Sequence, residues 1–133
     1  MRSELDHFRG IERDLAENLV PLLEQNGASL YRTEIQGRRE ARVGWPSTRA
    51  DGHRTWVFMI EGKGSAIELT LWVGAASGLI GPGRPLNGKK GGRPKEKDCG
   101  SILLTSTRFP DQLCGWITTA YAHAKDVTAR PDW

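Results

Sequence analysis

Residues 55–73 read TWVFMIEGKGSAIELTLWV. Two runs rich in β-branched and aromatic residues flank a short glycine-bearing break, which is the pattern of a β-hairpin. In the second run Ile67, Leu69, Leu71 and Val73 alternate with Glu68, Thr70 and Trp72. That period of two gives one face for a core and one for water or a partner. The first run is apolar on both sides, with Trp56, Phe58 and Ile60 against Val57 and Met59, so it predicts a central strand covered on both faces.

Working outward toward the N-terminus, two weaker strands are predicted at 28–35 and 40–45 around a turn at Gly37. Tyr31, Thr33 and Ile35 share one face, as do Ala41, Val43 and Trp45. Residues 46–53 connect them to the hairpin, with Asp51-Gly52 as the turn. Before these strands, Leu5, Phe8, Ile11, Leu15, Leu19, Leu22 and Leu23 recur at helical spacing. Ser3 and Asp6 resemble a capping box, predicting a helix from Ser3 that kinks or restarts at Pro21 and ends at Asn26-Gly27. Beyond the hairpin, 74–100 holds eight glycines, three prolines and six Lys or Arg. It reads as a flexible loop, because such a composition buries too little apolar surface to offset its ordering entropy. A fifth strand at 101–107 and a helix from Pro110 to about Val127 close the chain. The terminal Trp133 is expected either to fray or to dock.

The element order is helix, four strands, long loop, strand, helix. It predicts one α+β domain over residues 1–133, with a mainly antiparallel sheet of about five strands and both helices on one face. Its 133 residues suit a single core. No apolar run approaches the length of a membrane helix, and no signal-peptide core opens the chain, so a cytoplasmic protein is expected. Cys99 and Cys114, with His7, His53 and His123, match no disulfide framework and no zinc spacing. Neither a dedicated metal nor a cofactor is expected.

Charge is segregated within a net +3. Residues 1–27 carry six acidic and three basic residues, and 74–100 carry six basic and two acidic. Arg84, Lys89, Lys90, Arg93, Lys95 and Lys97 are therefore the candidate contacts to a polyanion, with nucleic acid as the leading partner. Gly83-Arg84-Pro85 and Gly92-Arg93-Pro94-Lys95 each resemble the Gly-Arg-Pro centre of an AT-hook, with Pro82 and Gly91 in place of that motif's preceding arginine. The resemblance implies arginines placed in a narrow minor groove. The run from Gly83 to Lys89 also has the G-x-x-x-x-G-K spacing of a phosphate-binding loop. However, Lys90 replaces its Mg²⁺-binding hydroxyl, and Gly91-Gly92-Arg93-Pro94 cannot open the required helix, which excludes nucleotide hydrolysis.

Two further readings use the hairpin. Glu68, Thr70 and Trp72 form the polar strand face, which would bind a second copy in a homo-oligomer, another protein or a small molecule. Asp51, Glu61 and Lys63 resemble the core of the PD-(D/E)xK nucleases. That resemblance implies two carboxylates holding Mg²⁺ and a lysine that orients the attacking water. Together these features predict a binding protein rather than a catalyst.

Overall fold

The computed structural model describes residues 2–46, 52–87, 98–131 and 133. Six strands form one sheet: β1 (Ser29–Thr33), β2 (Glu40–Trp45), β3 (Thr55–Gly62), β4 (Ile67–Trp72), β5 (Gly81–Pro82) and β6 (Cys99–Leu104). Their spatial order is β1-β2-β3-β4-β6-β5, and every pairing is antiparallel. The helices are α1 (Ile11–Leu23) and α2 (Leu113–Thr128), so the α+β class expected from the element order is what forms. No helix among the described residues is long and apolar enough to cross a membrane.

Several boundaries differ from the sequence expectation, among them β1, which is shorter than 28–35, and α2, which starts at Leu113 instead of Pro110. Ser3–Leu5 makes a separate 3-10 turn, because Gly10 takes φ 54° and ψ −121°, a conformation open to glycine that breaks a helix begun at Ser3. Pro21 sits inside a continuous α1 with its ring exposed, and the helix ends at Leu23, ahead of the left-handed Asn26 and Gly27. The last strand starts at Cys99 instead of 101 and stops at Leu104. An additional strand, the two-residue β5, lies inside the glycine-rich run: Gly81 and Pro82 pair with Ser101 and Gly100. Its first part, Gly74–Leu79, is a 3-10 turn. Residues 88–97 lie outside the described residues.

The register divides the sheet cleanly. Leu30, Ala41, Val43, Phe58, Ile60, Leu69 and Leu71 stand in cross-strand rows on one face, and all are buried. Both helices cover this face. From α1 come Leu15, Leu19 and Leu23, each fully buried and worth about 2 kcal/mol of transfer free energy. From α2 comes Tyr121, whose ring meets Phe58 edge-on at 5.3 Å and Trp45 at 5.7 Å. The Tyr121 hydroxyl donates to the Leu23 carbonyl and accepts from the Gln25 amide at 3.2 Å, tying α2 to the end of α1. At the β2/β3 bulge Gly44 is required, since a Cβ there would lie 2.0 Å from the Thr55 carbonyl oxygen.

The N-terminus of α1 is held by one buried acid. Glu12 accepts from Arg39 Nε at 2.7 Å, Arg39 Nη2 at 2.6 Å, the Gly64 amide at 2.6 Å and the Arg9 amide at 3.0 Å. It therefore joins α1 to both hairpin turns, β1–β2 and β3–β4. Burial alone would raise the Glu12 pKa, but the Arg39 hydrogen bonds and the two amides outweigh it and hold the carboxyl at about 2, against an ordinary 4.5. Gly62 gives it room, because a Cβ there would stand 2.6 Å from the carboxylate carbon.

A carboxyl depressed on folding contributes stability above its unfolded pKa, and that contribution is lost as pH falls toward the folded value. The clamp should thus be complete above about pH 4.5 and fade toward pH 2. Glu12→Gln is expected to cost about 3 kcal/mol at pH 7. Urea unfolding should show a flatter dependence on pH below 4.5 for the variant than for the native chain. Parallel pH profiles would contradict the clamp.

Candidate anion-binding face of the sheet

The face opposite the helices is where the polar strand residues gather. Glu40 pairs with Glu61, and Glu61 pairs with Glu68, so three carboxylates stand in line across β2, β3 and β4. Like charges directly opposite one another destabilise a sheet, and cations from several segments close over these. Glu40 accepts from Arg42 Nε at 3.0 Å and from the Thr33 hydroxyl at 2.9 Å. Glu61 Oε1 lies 3.0 Å from Lys63 Nζ and 3.2 Å from Arg84 Nη2, and its Oε2 lies 3.9 Å from Arg38 Nη1. The Glu61 side chain is 3 % exposed, whereas those of Lys63 and Arg84 are 37 % and 44 % exposed, so the cations present their outer sides to solvent.

Next to this row the same face is aromatic and cationic. The Arg54 guanidinium lies 3.8 Å from the centre of the Tyr31 ring, and Trp56 meets Tyr31 edge-on at 5.8 Å. Arg42 and Arg54 each approach the Trp56 ring at 5.8 Å. Tyr31 and Trp56 are both partly exposed.

Segment 83–87 crosses this face as a strap. The Gly83 amide donates to the Cys99 carbonyl beside β6. Arg84 then reaches Glu61, and Leu86 is buried in the core. Asn87 bonds both backbone groups of Trp56, its Oδ1 accepting from the amide at 2.8 Å and its Nδ2 donating to the carbonyl at 2.7 Å. Asn87 thereby continues the ladder where β4, whose last partner on β3 is Phe58, has turned away. Burial raises the Cys99 thiol to about 11, with the Leu86 amide opposing.

Of the predicted polyanion contacts, Arg84 is on this face, whereas Lys89, Lys90, Arg93, Lys95 and Lys97 lie outside the described residues. So does the second Gly-Arg-Pro segment. The first one is anchored along β6 and across the sheet. Glu61 and Lys63 of the nuclease pattern are in contact, but Asp51 lies outside the described residues. The chain after Lys63 returns as β4 instead of the helix which that family places there. Among the described residues no group of three His, Cys, Asp or Glu is arranged to hold a metal ion.

Thr70 and Trp72, expected on an open partner face, are buried within the chain itself. Thr70 has no exposed surface, and Trp72 is 4 % exposed, packed 5.0 Å from His123 of α2 and 5.4 Å from Trp133. Trp133 thus packs back against Trp72 of its own chain. Glu68 alone of the three retains partial exposure. Sequence reasoning missed Arg38, Arg42, Arg54, Tyr31, Trp56 and Glu40. Beside β1 and β2, His7, Arg9, Arg38 and Arg39 line a cleft of about 370 Å³ with Asp6 and Glu34. Arg38 thus belongs both to the cleft and to the carboxylate row.

If Asn87 fastens the strap, Asn87→Ala should loosen it by about 1–2 kcal/mol. In a Cys114→Ser background Cys99 should then react with a thiol reagent severalfold faster than in the parent, with helix content unchanged. Equal rates would mean that Leu86 covers Cys99 without help from Asn87.

No family model matches the chain, and neither a curated protein nor a solved structure matches it significantly.

Proposed function

We propose that this chain is a nucleic-acid-binding module that takes the strand across the helix-free face of its sheet. One observation carries the reading: Arg38, Arg42, Arg54, Lys63 and Arg84, from separate segments, gather on one face with Glu40, Glu61 and Glu68. Five basic side chains against three acidic ones leave that face at +2. The basic run continues from Arg84 through Lys89, Lys90, Arg93, Lys95 and Lys97. Phosphate contacts need only such placed charge, whereas Tyr31 and Trp56 add partly exposed ring surface suited to unpaired bases. The cleft beside Arg38 adds Arg9 at its rim, together with the carboxylates of Asp6 and Glu34, while Arg39 is engaged by Glu12.

A fluorescence-anisotropy titration of a single-stranded oligonucleotide tests this directly. Three to five phosphate contacts predict that affinity falls roughly 20- to 100-fold between about 50 and 200 mM salt. Ring stacking predicts a preference for single strands over duplex that shrinks when Tyr31 becomes Ala. No binding at low salt contradicts the reading. Mg²⁺-dependent cleavage abolished by Glu61→Ala would replace it with the nuclease reading.

A further inference from the structure

We propose that Arg38, Lys63 and Arg84 form the seat for a phosphodiester, and that Glu61 is a built-in competitor which holds the seat until the ligand takes it. This rests on the nucleic-acid reading above and names the residues and regulation of its site. Three cations converge on one carboxylate from the β1–β2 turn, the β3–β4 turn and the strap. With Glu40 already paired to Arg42, the three cations face Glu61 and its cross-strand neighbour Glu68, an excess of one positive charge.

The contacts are also of an exchangeable kind. Glu61 Oε1 is buried and flanked by two cations within 3.2 Å, yet it accepts no hydrogen bond from them. The attraction is ion pairing without alignment. Glu12, in the same sheet-and-turn neighbourhood, accepts four aligned hydrogen bonds and is a fixed strut. A phosphodiester offers oxygens in several directions, so partly exposed guanidinium and ammonium groups can meet it from the solvent side with the geometry Glu61 fails to provide. Arg42 is not part of the seat, because Glu40 binds its Nε at 3.0 Å and its side chain is 14 % exposed. Release of Arg84 from Glu61 leaves the strap still fastened at Leu86 and Asn87.

The test uses the full chain and a fluorescein-labelled oligothymidine of about 12 nucleotides, a length matched to one small binding face. Glu61→Gln removes the competing charge and should tighten binding roughly three- to tenfold, with a salt slope steeper by about 0.7. Glu61→Asp keeps the charge and should stay near the native affinity. Should Glu61→Gln fail to give a native circular-dichroism melt, Arg38→Gln, Lys63→Gln and Arg84→Gln decide: each must weaken binding about threefold and flatten the slope. A native chain that binds and a Glu61→Gln variant that binds equally or more weakly overturn the competitor role while leaving the proposed function standing. Unchanged binding in all three cation variants overturns the seat in the same way. Absence of binding by the native chain and by Glu61→Gln at low salt overturns both.

Discussion

Three carboxylates stacked across neighbouring strands are the constraint around which the helix-free side of this protein is built. Strands lie about 4.8 Å apart, so Glu40, Glu61 and Glu68 in register would repel one another strongly if left alone. The sheet is tolerable only with cations laid over it. Arg42 supplies one from within β2, Arg38 and Lys63 come from the two hairpin turns, and Arg84 comes from the segment after β5. The same neutralisation that makes the sheet stable draws the start of the basic run onto it. A face assembled for stability is in this way also a face with surplus positive charge.

The two buried acids nearest the hairpin turns show how aligned hydrogen bonding differs from ion pairing. Glu12 and Glu61 both meet arginine in a nearly dry setting. Glu12 is satisfied by paired guanidinium nitrogens and two amides, which explains why its carboxyl is so acidic. Removing such an acid leaves the arginine and amides unpaired, and the cost falls on folding. Glu61 makes closer use of charge than of direction, and two of its partners, Lys63 and Arg84, are 37 % and 44 % exposed against 32 % for the Arg39 that holds Glu12. A group held by charge alone yields to a competitor of the same sign more readily than one held by aligned donors.

Much of the architecture was legible because it is local. The strict alternation at 67–73 and the doubly apolar 56–60 run marked a central hairpin, and β3 is indeed flanked by strands and covered on both faces, with Val57, Phe58, Met59 and Ile60 all buried. What was not legible is non-local. Trp72 alternates with Leu69 and Leu71 in the sequence, which assigns it to the polar set, and only its contacts at the end of β4 with His123 of α2 and with Trp133 reveal that it is buried. The carboxylate row needs the register of three strands, which no single segment carries. One signal was nevertheless available: Glu40 and Arg42 alternate with Ala41 and Val43 just as Glu61 and Lys63 alternate around Gly62, so paired strands had to bring both charged sets to one side. Within the glycine-rich run, composition does not reveal that Leu86 and Asn87 seat the segment 83–87.

The central claim is that nucleic acid lies on the helix-free face of the sheet. The most direct measurement is a set of ¹H–¹⁵N correlation spectra of the labelled chain titrated with a short unlabelled single-stranded oligonucleotide. Shifts are expected to concentrate at Tyr31, Arg38, Arg42, Arg54, Trp56, Lys63 and Arg84, with α1 and the outer side of α2 unmoved. Shifts confined to the helices, or a spectrum unaltered by excess oligonucleotide at low salt, would contradict it.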